Sequence, residues 1–283
     1  MCADRCAAFG VNSYSYTFDH TAERFLTELA ERGFRTFELM IYPGHLWPKT
    51  MTANDRTALR ERIESLGVRV VSLNMPNLDV NIAAASEDVR NVSLQHLERI
   101  IELAGEIGVP GVIVGPGKAN GLFPMRREEL LGHFHRGFER LILAAKKSGT
   151  RLYAENMPFA FLPRIGDLMK EIERYDASSV QIVYDVANGH FIKEDIAAAL
   201  HIAAPRLALV HLSDTAQTVY RHDPVGLGDV PFHVVPPVLA EIGHRQQPIL
   251  EVISAEANAT IDDSVRRLLA AGFKPVDAEF RAS

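Results

Sequence analysis

Short runs rich in β-branched and aliphatic residues recur along the chain, and each is followed by a segment whose apolar positions repeat every three to four residues. The runs cover 9–14, 36–41, 68–73, 112–114, 151–155, 181–185, 207–211 and 249–252. The helix-period segments between and after them cover 22–32, 59–66, 89–107, 127–147, 167–174, 194–202, 234–242 and 261–271. The first shows the pattern well, with Ala22, Phe25, Leu26, Leu29 and Ala30 falling on one helical face. Gly33, Gly67 and Gly108 stand where C-terminal caps belong. Apolar strands alternating with amphipathic helices predict a parallel sheet with crossover helices. Eight such units in 283 residues average about 35 residues each, the spacing of a single (β/α)8 TIM barrel. No Ser/Gly-rich or Pro-rich linker interrupts the series, so the expectation is one domain over residues 1–283.

Composition supports a large buried core, with 47% hydrophobic and 23% charged residues. The 30 basic against 36 acidic residues leave a net charge of −6, the wrong sign for affinity built on phosphate neutralisation, so no nucleic acid partner is expected. No apolar stretch approaches the roughly 20 residues of a membrane helix, and the first ten residues lack the pattern of a leader. A cytoplasmic location without membrane attachment is the corresponding expectation. Cys2 and Cys6 are too few and too close to staple a fold or to build a thiolate metal site. Gly115-Pro-Gly-Lys-Ala-Asn-Gly has glycines in the wrong register for a dinucleotide fingerprint, and Ala119 stands where a Walker loop needs a hydroxyl. Gly226-Leu-Gly-Asp reads as a tight turn.

Four consecutive runs close on ionisable residues, namely Glu155, Asp185, His211 and Glu251. The C-terminal ends of barrel strands converge on one mouth. Three carboxylates gathered there would repel one another unless a cation sits among them. A divalent metal is the simplest remedy. Oxygen donors with one imidazole suit Mn²⁺ or Mg²⁺, with Co²⁺ or Zn²⁺ as alternatives.

These residues carry a resemblance to a known family. Ala154-Glu-Asn-Met-Pro, Tyr184-Asp-Val-Ala-Asn-Gly-His, Val210-His-Leu-Ser-Asp, the loop Arg221-His-Asp-Pro-Val-Gly-Leu-Gly-Asp and Leu250-Glu-Val resemble the xylose-isomerase-like TIM barrels. That family includes sugar isomerases and epimerases, inosose dehydratases and endonuclease IV-type repair enzymes, and the resemblance spans essentially the whole chain. It implies a single divalent ion held by Glu155, Asp185, His211 and Glu251, with Glu155 and Glu251 doubling as acid and base. The implied reaction is isomerisation or epimerisation of a keto sugar or related hydroxy-carbonyl compound, through an enediolate stabilised by the metal. A dehydratase shares the first proton abstraction and then loses a hydroxyl, so it stays open as the second reading. A barrel that only binds sugar is the third. The resemblance also implies pairing of copies through outer helices.

The chain departs from the family's epimerases in two places. Asn188 stands where they tend to carry a histidine, with His190 two residues further on, and Pro158-Phe-Ala-Phe-Leu replaces a second glutamate. The extra histidines of the repair branch are missing from Asn74-Met-Pro-Asn and Gly115-Pro-Gly. Asn188, His190, Arg221 and His222 are candidates to bind substrate hydroxyls or to protonate a leaving group. Trp47, near Glu38, Tyr42 and His45, is the candidate apolar wall against a sugar's carbon face, and Lys118 could pair with an anionic substrate group. His96, His133, His135, His201 and His244 read as surface or packing residues on helical segments.

Overall fold

Each predicted run becomes a strand in the computed structural model, which describes residues 8–77 and 79–275. Cys2 and Cys6 lie outside the described residues. The strands are β1 (Gly10–Asn12), β2 (Thr36–Met40), β3 (Arg69–Asn74), β4 (Gly111–Val114), β5 (Arg151–Glu155), β6 (Val180–Asp185) and β7 (Leu207–Leu212). An added hairpin of β8 (Asp214–Ala216) and β9 (Val219–Asp223) precedes the last barrel strand, β10 (Ile249–Leu250). The barrel closes in the order β1-β10-β7-β6-β5-β4-β3-β2, and every pair in it is parallel. The outer layer holds α1 (Ala22–Glu31), α2 (Ala53–Ser65), α3 (Glu87–Glu106), α4 (Arg127–Ser148), α5 (Ile165–Ile172), α6 (Val186–Phe191), α7 (Ile196–Ala203), α8 (Val235–Glu241) and α9 (Ala257–Ala270). No helix among the described residues is long and apolar enough to cross a membrane.

Local chemistry sets the element ends. Thr52 and Asp55 form a reciprocal capping box on α2, so that helix starts well before the apolar stripe at 59–66 that announces it. Gly33, Gly67 and Gly108 take the positive φ of helix-terminating caps. Strand β1 is shorter than its apolar run because the Asn12 side chain accepts from the Tyr14 amide at 2.7 Å and turns the chain. The helix expected at 194–202 is α7, capped by Asp195, and a short helix that was not expected, α6, capped by Asp185, precedes it directly after β6. Gly226 has φ +96° within the expected turn.

The strand alternation divides the barrel interior into layers. Tyr153, Val183, Leu209 and Ile249 join Val71 and Ile113 in an apolar plug. The residues after them, Ala154, Tyr184, Val210 and Leu250, belong to the larger core shared by barrel and helices. One further step along the same strands stand Glu155 and Asp185, then His211, and Glu251 just past β10. The period of two therefore aims all four at the axis, directly above the plug.

Candidate active site

Glu155, Asp185, His211 and Glu251 each offer a ligand atom, and these atoms all lie within 4.8 Å of one another. All four are buried, with Asp185 and His211 fully enclosed. His211 Nδ1 is 3.1 Å from Glu155 Oε1 and 3.1 Å from Glu251 Oε2. Its other nitrogen, Nε2, is 3.2 Å from Glu38 Oε2. Asp185 Oδ1 accepts from the Asn188 amide at 2.7 Å, while Asp185 Oδ2 is buried without a hydrogen-bond partner. An orphaned carboxylate oxygen aimed into a ring of acids is costly unless a cation meets it. The donor set fits one: three carboxylates and an imidazole nitrogen suit a hard to borderline divalent ion.

Electrostatics describes the same tension. Burial, with repulsion from neighbouring acids, pushes the Glu155 carboxyl up to about 7 against the pull of His211. Burial likewise pushes Glu251 up to about 7. Burial opposes a charge on His211, yet Glu38 and Glu251 outweigh it and hold the imidazole well above its ordinary range. Glu38 is also fully buried, but its contacts with His211, Ser72 and Asn74 overcome burial and hold its carboxyl below the ordinary value. With a cation at Nδ1, the remaining N–H of His211 would donate to Glu38, a carboxylate that fixes both the ring and its tautomer.

Glu38 is the main residue that sequence reading did not promote to the site. Its carboxylate accepts from Asn12 Nδ2 at 2.5 Å, Ser72 Oγ at 2.5 Å and Asn74 Nδ2 at 3.1 Å. Asn12 and Asn74 also reach Glu251 Oε1, at 3.4 and 3.3 Å. Strands β1 and β3 thus supply donors, β2 supplies the acid they surround, and the later strands supply the acids and the histidine that could hold a metal. An acid in the middle of the apolar run Thr36-Phe-Glu-Leu-Met was the available signal.

A cavity of about 210 Å³ opens beside the cluster. Glu155 and Glu251 line it, whereas Asp185 and His211 sit behind them. His222 lines the cavity on β9, with Nδ1 2.9 Å from Ser213 Oγ, 3.6 Å from Glu251 Oε2 and 3.7 Å from Asp185 Oδ2. Its Nε2 is 2.8 Å from the Tyr220 hydroxyl, which donates to Asn188 Oδ1 at 2.7 Å. Burial pushes the Tyr220 phenol up, so it stays a donor. Tyr220 was hidden from sequence reading because its strand belongs to a polar hairpin rather than to the barrel.

Asn188 also lines the cavity, but its amide is engaged by Asn156 as well as by Tyr220. His190, Arg221 and Trp47 do not line it. His190 is buried against Asp229, 2.7 Å away, and so fastens α6 to the Gly226-Leu-Gly-Asp turn. Arg221 is exposed on the hairpin, on the opposite side of the strand from its neighbours Tyr220 and His222. The wall expected of Trp47 is formed elsewhere, because its ring packs on His96 at 4.9 Å, away from the mouth. Lys118 does line the cavity, with Nζ donating to the Asn77 carbonyl at 2.9 Å. His135 bridges α4 and α5 through Glu171 and Tyr175, and His244 lies past the end of α8 rather than within it.

Fold and cluster together define a class: a (β/α)8 barrel whose mouth gathers three acids and one histidine that could hold a metal. Within that class, the chain belongs to the xylose isomerase-like TIM barrel family, whose profile matches residues 26–271. An uncharacterised protein of Methanocaldococcus jannaschii is 25% identical over 265 residues, covering 91% of this chain and 86% of that one. The 3-dehydro-D-guloside 4-epimerase of Escherichia coli is 24% identical over 225 residues, covering 75% and 83%. Among solved structures, a D-tagatose 3-epimerase-like protein superposes with a TM-score of 0.79 at 21% identity, covering 93% of this chain and 96% of the other.

Proposed function

We propose that this chain is a divalent-metal-dependent epimerase or isomerase of keto sugars. The observation that carries the reading is the division within the cluster: Asp185 and His211 sit behind, while Glu155 and Glu251 front the cavity from strands three places apart around the ring. Glu155, Asp185, His211 and Glu251 would hold the cation, which would supply positive charge against the negative charge that develops on the substrate's oxygens as an α-proton leaves. Glu155 or Glu251, whichever is ionised, takes that proton from carbon. The other glutamate, carrying a proton, delivers it to the opposite face and inverts the centre. Return by the same glutamate to the neighbouring carbon, with the hydroxyl proton of that carbon passing to the former carbonyl oxygen, moves the carbonyl instead.

The surroundings support this division of labour. Asn12 and Asn74 donate to Glu251 Oε1 and orient it. The plug beneath excludes water from below, which strengthens every charge interaction above it. The Escherichia coli relative is named for epimerisation of a 3-dehydro sugar glycoside, which agrees with proton transfer next to a carbonyl.

A dehydratase is the second reading, and the position of His222 favours keeping it. Its ring lines the cavity 3.6 Å from Glu251 and could hand a proton to a departing hydroxyl. Incubation of keto sugars and inososes in D₂O, followed by NMR and mass spectrometry, separates the two. Deuterium at the α-carbon with the substrate's elements otherwise retained is the expected result, loss of water selects the dehydratase, and no exchange on any member of the panel contradicts both.

A further inference from the structure

The cavity is polar where it meets Glu155, Glu251, Asn74, Asn188, Tyr220 and His222, and beyond them Asn77 and Lys118 are polar residues in a lining that is otherwise largely apolar. Its far side is built by Met75, Val80 and Ile82 from the loop after β3, Leu97 from α3, and Met157 and Phe159 from the loop after β5. Met75, Val80, Ile82 and Leu97 are buried, so this side is continuous with the core beneath it. Gly115 shapes it, since a Cβ there would come within 2.6 Å of the Met157 sulfur. At the rim, the half-exposed Phe159 meets Tyr220 edge-on at 5.2 Å and lies 5.8 Å from Phe191. Met40, Met75 and Met157, three of the chain's seven methionines, line the cavity. Flexible thioethers adapt to apolar groups of varied shape.

A free keto hexose carries a hydroxyl on nearly every carbon. With its reacting end at the glutamates, the rest of it would press hydroxyls against Val80, Ile82 and Leu97, which can accept none of their hydrogen bonds. An anionic end group fits no better. Lys118 is the single lysine or arginine among the lining residues, and its ammonium donates to the Asn77 carbonyl.

Resting on the keto-sugar reading above, we propose that the substrate is a keto sugar bearing an uncharged apolar substituent, an aryl or alkyl glycoside, with that substituent seated between Met157, Phe159 and the loop after β3. The sugar then presents its carbonyl and hydroxyl to the polar end, and its substituent fills the apolar end.

The test compares the free 3-keto hexose, its 6-phosphate, its methyl glycoside and its phenyl glycoside. Deuterium exchange at the α-carbon is followed on metal-loaded protein, and calorimetric affinity for the two glycosides is measured on chelated protein. The phenyl glycoside should exceed the methyl glycoside by about tenfold or more in kcat/KM and in affinity, as expected for burying an aromatic ring. In Met157→Gln and Phe159→Ser that ratio should fall toward one. Equal exchange on all four compounds, or preference for the phosphate, overturns the proposal while leaving the epimerase reading intact. Tighter binding of the phenyl glycoside with no exchange on any compound upholds the apolar seat and overturns the reaction. Equal affinity for both glycosides on chelated protein overturns the seat directly.

Discussion

Two layers of the barrel interior lie two residues apart on the same strands and differ in everything but backbone geometry. Tyr153, Val183, Leu209 and Ile249 make an apolar plug, whereas Glu155, Asp185, His211 and Glu251 make a cluster of charge. The lower layer gains stability from burial. The upper layer is buried to a similar degree and would lose it, because three carboxylates share a space with one imidazole. The difference teaches where function was written: strand periodicity places both layers, and only the residue type at the second inward position converts a core into a site. Stability from the plug and from its helical shell holds the upper layer in an arrangement that it would not hold alone.

The comparison can be broken most forcefully from above. Glu155→Gln and Glu251→Gln each remove a carboxyl group proposed to transfer the proton, and α-carbon exchange should drop by about 10²–10⁴-fold while the far-UV spectrum is kept. Full turnover in either variant would separate the cluster from the chemistry. From below, Leu209→Ala should cost about 2–5 kcal/mol in urea unfolding of chelated protein, since Leu209 is buried in the plug. Its metal content per folded molecule should match the parent, and a loss of metal without a loss of stability would mean that the layers are not separable. Glu38→Gln keeps the shape of the carboxylate but removes the charge opposite His211 Nε2, so metal affinity should weaken by about 10–100-fold. Competition against a fluorescent chelator reads that change.

A gentler probe is pH. In chelated protein, Glu155 and Glu251 keep their protons up to about 7, whereas in the unfolded chain they lose them near 4.5. The folded state therefore binds more protons across that window, and their stability contribution, present below 4.5, is lost as pH rises toward 7. His211 acts in the same sense at higher pH, because its folded value is also raised. Melting temperature of chelated protein should fall over this interval, and added Mn²⁺ should flatten the slope. The smallest effect belongs to Arg221→Ala: an exposed side chain outside the cavity should change stability by less than about 0.5 kcal/mol.

Much of this arrangement can be read from the chain because barrel strands are short apolar runs and their last inward residues are conspicuous when ionisable. Glu155, Asp185, His211 and Glu251 close such runs one after another. Glu38 is harder to see because it lies inside its run, where an acid looks like an exposed position of an alternating strand until Asn12, Ser72 and Asn74 are brought around it from β1 and β3. The hairpin carrying Tyr220 and His222 has mixed polarity and no helix of its own, so periodicity passes over it. Trp47 misleads for a different reason: an aromatic group after a strand can face either the mouth or the shell, and contact with His96 of α3 decides for the shell.

The central claim is most directly tested by calorimetric titration of Mn²⁺ into chelated parent protein and into Asp185→Asn. This substitution keeps an oxygen to accept from the Asn188 amide while removing the charge of the orphaned carboxylate. Saturation at a single ion per chain in the parent, with affinity lost in the variant, is the predicted result. Equal binding by both proteins, or none by either, would contradict it.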